Sequence, residues 1–410
     1  MKSSKKSLII SRLSAFFLLF FGTISSVTSK IQLTVPSQGY MNIEHYFEKP
    51  GMQVFIMFFG MSFAMIVGIY WGPTNGPMNL KSFSKYQYMI SSLNSTCATV
   101  AIFINTVGLT RINVSIFMML RGSLSIFSTL FSILFLKKKF KKYQWFGIIL
   151  TIVSLIIVGV AGVMISDNNR NDKVERNSYT ETYLSEKNNT EYANNTIFIQ
   201  DSRPLESLSE NNSERFNWFD RLIGIIIIII AQVIQGWQLV FDEYMTQTLK
   251  LPVMLVVGME GVWGVLIMLF IGFPFCFIVP GKDPSPLGGS LENVYDSLLM
   301  IKNSKFILLI CIVACLAIGC YDISGMSVTA TMSSVHRTIF EALRTLTTWV
   351  TMLIIGIFSD FGEKWKNWSW LELAGFILLA YSSFVFNGVI APPFIKEEKE
   401  DNHIIDYQTL

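Results

Sequence analysis

MLRGSLSIFSTLFSILF (119–135) and ALRTLTTWVTMLIIGIF (342–358) each set an arginine inside an apolar run long enough to cross a bilayer. Each is followed by a short charged loop, a tryptophan and a further apolar segment, so that Gly147 lines up with Gly375. The chain therefore reads as a duplicated membrane protein. An arginine at mid-helix in lipid costs about +2.5 to +3.5 kcal/mol on insertion scales, so Arg121 and Arg344 are expected to line a pathway or to be paired.

Outward from these runs, the composition agrees. Of 410 residues 51% are hydrophobic and 15% charged, and the mean hydropathy is +0.46; a soluble globule of this size needs more polar surface. The net charge of +3 is small and the lysines cluster in loops, which excludes a nucleic-acid partner. The five cysteines all fall in apolar segments and form no loop framework. Three histidines, His45, His336 and His403, stand without a second ligand at metal spacing. There is no P-loop, no GxGxxG after a strand and no GxSxG elbow, so neither an enzyme nor a cofactor is expected.

Apolar stretches predict ten spans, near residues 8–28, 52–71, 88–109, 114–136, 144–163, 222–241, 252–279, 306–328, 338–358 and 368–389. The first could also be read as a cleaved signal peptide, but Arg12 interrupts its core and the five-plus-five count needs it. This divides the chain into a first five-helix repeat at 1–165, a polar linker at 166–217, a second repeat at 218–391 and a tail at 392–410. An odd number of spans per half forces the repeats into opposite orientations, a transporter signature.

The linker is rich in Asn, Ser, Glu and Asp and holds sequons at Asn188, Asn194 and Asn211. Lys137, Lys138, Lys139, Lys141 and Lys142 form the most basic short loop, which the positive-inside bias puts in the cytosol. Both termini are then cytosolic and the linker lumenal. Tyr407 and Leu410 close the chain in a tyrosine-x-x-apolar pattern that a sorting adaptor could read. Trp145, Trp368 and Trp370 sit where spans meet loops and are expected to be interfacial anchors.

Polar residues inside the spans fall in stripes. Arg121, Ser125, Ser128 and Ser132 share one face of the fourth span; Glu341, Arg344, Thr348 and Thr351 repeat the device on the ninth. For the hydroxyls, helix packing and cavity lining are both open readings. Glu260 in GMEGVWG and Asp322 in GCYDISG are acids among glycines; desolvated, either could exchange protons near neutral pH or pair with an arginine. Gln232, Gln235 and Gln238 on the sixth span, with Asn94 and Asn105 on the third, suggest a hydrated cavity. Asp242 shares the broad face of those glutamines, but it and Glu243 lie near a helix end, where a solvated or interfacial role is the default reading.

FGTISSVTSK (21–30), FMMLRGSLSIFSTLFSILFL with KKYQWFGIILTIVSLIIVG, IIAQVIQGWQLVFDEYM, VGMEGVWG (257–264) and ALRTLTTWV, in this order and spacing, resemble the drug/metabolite transporter superfamily. Within it the likeness is to the F subgroup of the solute carrier 35 family, which is similar to the chloroquine-resistance-transporter-like proteins. The resemblance implies ten transmembrane helices in two inverted repeats around a central cavity, with Arg121 and Glu260 as cavity or gating residues.

Residues and resemblance together predict a secondary-active carrier of a small organic solute (nucleotide sugar, amino acid or peptide, or drug-like metabolite) working by alternating access. Arg121, Arg344, Glu260, Gln235, Asn105, Ser125 and Thr348 are the candidate cavity residues, and Glu260, Asp322 and Glu341 the candidates for proton coupling. The expected setting is an intracellular membrane of lysosome, vacuole, endosome or Golgi. The competing reading is a membrane interaction protein that keeps the carrier fold without carrying anything.

Overall fold

The computed structural model describes residues 2–33, 35–70, 84–109, 120, 123–161, 164, 218–281, 283, 289–359, 365 and 367–390. Helix α1 spans Lys2–Gln32. A two-stranded antiparallel hairpin follows, β1 (Pro36–Gln38) against β2 (Glu44–Tyr46), with Pro36 opposite Tyr46. Helix α2 (Pro50–Tyr70) starts on a proline, whose missing N–H costs nothing in a first turn. Then come α3 (Lys85–Leu109), α4 (Ser123–Leu136) and α5 (Lys142–Ala161).

In the second half, α6 (Leu222–Thr248) ends in a π turn at Tyr244–Thr248. Helix α7 (Val253–Ile278) contains another at Met268–Gly272, just before Pro274, where the straight α ladder is interrupted. The short α8 (Val294–Asn303) is capped by Asn293, whose side chain accepts from the Tyr295 N–H. Three long helices follow: α9 (Lys305–Thr331), α10 (Ser334–Phe358) and α11 (Ser369–Phe386). Ser304 and Ser333 cap α9 and α10.

Among the described residues eight helices are long and apolar enough to cross a membrane: α1, α2, α5, α6, α7, α9, α10 and α11. Helices α3 and α4 stand where the other two of the ten expected spans fall; α4 covers 14 residues. Without water in lipid, hydroxyls need internal acceptors. Thr28 donates to the Ile24 carbonyl, Thr99 to Ser95 and Thr129 to Ser125, each one turn back.

The main packings join a first-half helix to a second-half one. Helix α1 lies on α9 and α10, α2 on α7 and α9, α3 on α6 and α7, and α4 on α6 and α10. Helix α5 lies on α11, with the Thr151 and Ser382 hydroxyls 2.9 Å apart. Exchanging α1 to α5 in order with α6, α7, α9, α10 and α11 returns the same set of pairs. The detail repeats as well. Gly147 abuts Phe386 while Gly375 abuts Val158, and the chain distance from Gly147 to Gly375 equals that from Val158 to Phe386. Ser154 and Ser382, related in the same way, each donate to the carbonyl three residues earlier at 2.7 Å.

Two groups of polar contacts stand at opposite ends of α9. At one end the hairpin and α8 form a cap. Lys49, fully buried, pairs with Asp283 and with Asp296. His45 Nε2 lies 3.2 Å from Asp296 Oδ2, and Glu292 accepts the N–H groups of Gly51 and Met52 at the start of α2. At the other end of α9, roughly 40 Å away by helix rise, Lys138 pairs with buried Glu243. Glu243 Oε2 in turn accepts the Ser334 N–H at 3.1 Å and its hydroxyl at 2.8 Å.

Candidate functional site

Between these ends α3, α6, α7, α9 and α10 converge on a cluster of buried polar side chains. Asp242 and Glu260 are bridged by two amides. Gln238 Nε2 donates to Asp242 Oδ2 at 3.0 Å and to Glu260 Oε1 at 2.7 Å. Asn94 Nδ2 donates to Asp242 Oδ1 at 2.7 Å and reaches Glu260 Oε1 at 3.5 Å. Beside this pair lies Arg337 on α10. Its Nη1 is 3.5 Å from Asp242 Oδ2, its Nη2 3.8 Å from Asp322 Oδ1, and its Nε donates to Glu341 Oε1 at 3.0 Å.

The local sequence explains the convergence. In VGMEGVWG the glycines Gly258, Gly261 and Gly264 face α2 at Met65, Ser62 and Phe58, where a Cβ would strike the neighbouring helix. Glu260 is thereby held on the other side, toward α3 and α6. In GCYDISG, Gly319 approaches the backbone of Gly60 on α2, and Gly325 leaves room for the Arg337 guanidinium. The long Arg337 side chain can then reach Asp322 although their helices are tightly packed.

A cavity of about 270 Å³ opens onto the cluster. Helix α2 gives it an apolar wall of Met57, Phe58 and Met61; Asn105 comes from α3, Gln235 and Gln238 from α6. Glu260, Tyr321, Asp322, Arg337 and Glu341 line it as well, beside the apolar Ala98, Ile102 and Leu239. Asn105 accepts from Gln232 Nε2 at 2.9 Å. On the lysine-loop side of the cluster stand the Lys138–Glu243–Ser334 contacts and Gln247, which donates to the carbonyls of Thr329 and Met332.

The structure thus brings together Glu260, Gln235, Asn105, Asp322 and Glu341 from the sequence reading. Arg344 is placed elsewhere: it donates to the Gly22 carbonyl at 3.3 Å and to Ser26 Oγ at 2.7 Å on α1, and stacks over the Tyr321 ring at 4.9 Å. Ser125 and Thr348 are buried and do not line the cavity. Ser128 bonds back to the Ser125 carbonyl and Ser132 meets Ser334 at 3.3 Å, so that stripe packs helices. Arg121, the sequons at Asn188, Asn194 and Asn211, and the tail residues Tyr407 and Leu410 lie outside the described residues.

Two points correct the sequence reading. Asp242 and Glu243 are fully buried, neither solvated nor interfacial, because the π turn carries α6 on to Thr248 and moves both acids away from its end. Arg337 is central although the apolar run of the ninth span begins only at residue 338. Its signal was present in RTIFEALR, where Glu341 follows one turn later and Arg344 two. No group of three His, Cys, Asp or Glu suited to a metal ion occurs among the described residues.

Residues 46–160 match the EamA-like transporter family. The chain is similar to solute carrier family 35 member F6 of Mus musculus, 25% identical over 383 residues, with 92% of this chain and 88% of that protein covered. The Homo sapiens counterpart is 24% identical over 386 residues, covering 92% and 89%. An uncharacterized protein of Schizosaccharomyces pombe is 22% identical over 288 residues, 70% of either chain. A protein crystal structure superimposes with a TM-score of 0.50 at 10% identity over 94% of this chain and 97% of that one, a likeness of fold alone. The resemblance carried by the quoted motifs holds across both halves.

Proposed function

We infer that this multi-pass membrane protein of the drug/metabolite transporter superfamily, an all-helical relative of the solute carrier 35 family, is a secondary-active transporter of a small organic solute. The observation that carries the reading is the cavity lined by Glu260, Asp322 and Arg337 at the junction of the two halves. Buried ionisable groups in a membrane domain persist where a pathway needs them. A solid, fully paired core would have favoured the partner-binding alternative; an open cavity beside Glu260 favours carriage.

In this reading the ten helices form two inverted five-helix repeats, residues 1–165 and 218–391, joined by a lumenal linker at 166–217. The symmetry of the helix pairs and the reciprocal glycine contacts support it. Alternating access is a rocking of the halves about the cavity. The lysine-loop end is cytosolic by the charge rule, and the hairpin end lumenal. The membrane is that of an endolysosomal, vacuolar or Golgi compartment, reached through the Tyr407 and Leu410 motif, with glycans on Asn188, Asn194 or Asn211. The bridged Asp242–Glu260 pair and Asp322 exchange the coupling protons, since closely spaced carboxylates cannot all ionise together.

The test is uptake by purified protein in proteoliposomes, screened across nucleotide sugars, amino acids, peptides and organic cations with and without a pH gradient. One class is expected to accumulate, and Glu260→Gln to abolish its gradient-driven uptake with an unchanged melting temperature. Failure of every class to enter, or full gradient-driven uptake by the variant, refutes the reading.

A further inference from the structure

We propose that the solute is a small organic cation, an amine whose ammonium group docks between Asp322 and the Asp242–Glu260 pair and displaces protons from these carboxylates. The proposal rests on the carrier reading and gives its substrate a sign of charge. The cluster gathers four carboxylates, Asp242, Glu260, Asp322 and Glu341, around one guanidinium, that of Arg337, among the described residues. Arg344, the other described arginine of this helix, turns to α1 and Tyr321. Adding Arg121, which lies outside the described residues, to the basic side would still leave the acids ahead.

A second, independent observation concerns what lacks a partner. Asp322 Oδ2 is buried without a hydrogen-bond donor, and its residue, 9% exposed, lines the cavity. Asn94 Oδ1 and Gln232 Oε1, on residues that adjoin the lining without belonging to it, are likewise acceptors without donors. The amide donors of Gln238 and Asn94 are already engaged by Asp242 and Glu260. Arg337 Nη1 donates no hydrogen bond and faces Asp242 Oδ2 at 3.5 Å, so its charge is taken up by that carboxylate. The site therefore offers acceptors and negative charge, and an ammonium group, with donors only, complements it. A carboxylate or diphosphate would meet like charge and few free donors.

The remaining walls suit an apolar body on that cation. Met57, Phe58, Met61 and Ile102 surround the cavity, and Phe58 offers an aromatic ring. The exchange breaks one carboxyl O–H bond and forms one to water, and the amine itself is not covalently changed. A proton held by one of the carboxylates leaves to the compartment the cavity faces, and the incoming ammonium replaces its charge, so amine and proton move in opposite directions.

The experiment uses the full-length protein in detergent, weakly buffered with a pH-sensitive dye. Phenethylamine, tryptamine, agmatine and spermidine are titrated beside the matched anions hydrocinnamate and indole-3-propionate and a uridine diphosphate sugar. At least one amine is expected to bind with proton release, more tightly as pH rises, and the anions are not. Asp322→Asn should weaken that amine at least about tenfold, the loss of a hydrogen bond to a charged group. Should that variant fail to fold, the pH dependence of the wild-type protein remains decisive. Binding of an anion in place of every amine overturns the proposal while leaving the carrier standing. Binding of an amine without proton release, or of none of the seven probes, also overturns it; only the uptake screen decides the carrier reading itself.

Discussion

Arg337 and Arg344 stand two turns apart on α10 and face different partners. Arg337 balances Asp242, Asp322 and Glu341, so Arg337→Ala strands buried carboxylates; the expected loss is about 3–5 kcal/mol of stability. Arg344 holds a carbonyl, a serine and a tyrosine ring, and Arg344→Ala is expected to cost about 1–3 kcal/mol. Thermal unfolding of the two variants in detergent checks the order; equal losses would contradict it. Glu260 and Asp322 were legible because an acid flanked by glycines inside an apolar run has little use but a buried one. Arg337 was not, because it sits in the first turn of its helix, where a cation reads as interfacial. Asp242 was misread because periodicity does not announce a π turn.

At the scale of the element, α7 depends on its glycine face. Gly258→Val puts a side chain onto the backbone of Met65 on α2, and the expected cost of overpacking is about 1–3 kcal/mol. A melting temperature equal to that of the wild-type protein would show that the helices part freely. The contact of Glu243 with Lys138 and with the first turn of α10 ties three segments on the lysine-loop side of the cluster. Glu243→Gln should speed hydrogen exchange at Ser334, and unchanged exchange would leave that carboxylate without a role in joining them. The long apolar helices were readable from hydropathy alone. The hairpin and α8 were not, because short polar segments carry no period; burial of Lys49 between two aspartates fixes them only in three dimensions.

For the whole molecule, the cap of hairpin and α8 sets a pH response. The hydrogen bond to Asp296 raises the pKa of His45, so its contribution to folding is complete below its ordinary 6.5 and fades as pH rises past it. Burial, offset in part by the Met52 and Gly51 N–H groups, pushes Glu292 up to about 7; its contribution is complete below 4.5 and lost as pH climbs through 7. Burial opposes ionisation of Asp296 too, yet bonds from His45, Lys49 and the Tyr40 N–H hold it below its ordinary 3.8, so its contribution persists above that value. The cap is thus tightest in mildly acidic medium. Hydrogen exchange in residues 36–53 and 289–303, corrected for intrinsic rate, should be slower at about pH 5 than at about pH 8; the reverse order would refute this.

Since the principal partners of α1, α2, α3 and α5 all come from beyond residue 217, the early helices have nothing to nestle against when they leave the ribosome. Synthesis at about 5–20 residues per second leaves them waiting roughly 10–45 s between Ala161 and Phe386. During that interval the bilayer itself, or an insertion chaperone, must shield Asn94 and its polar neighbours. A gene cut within 166–217 should then yield a working protein only when both fragments are made in the same cell.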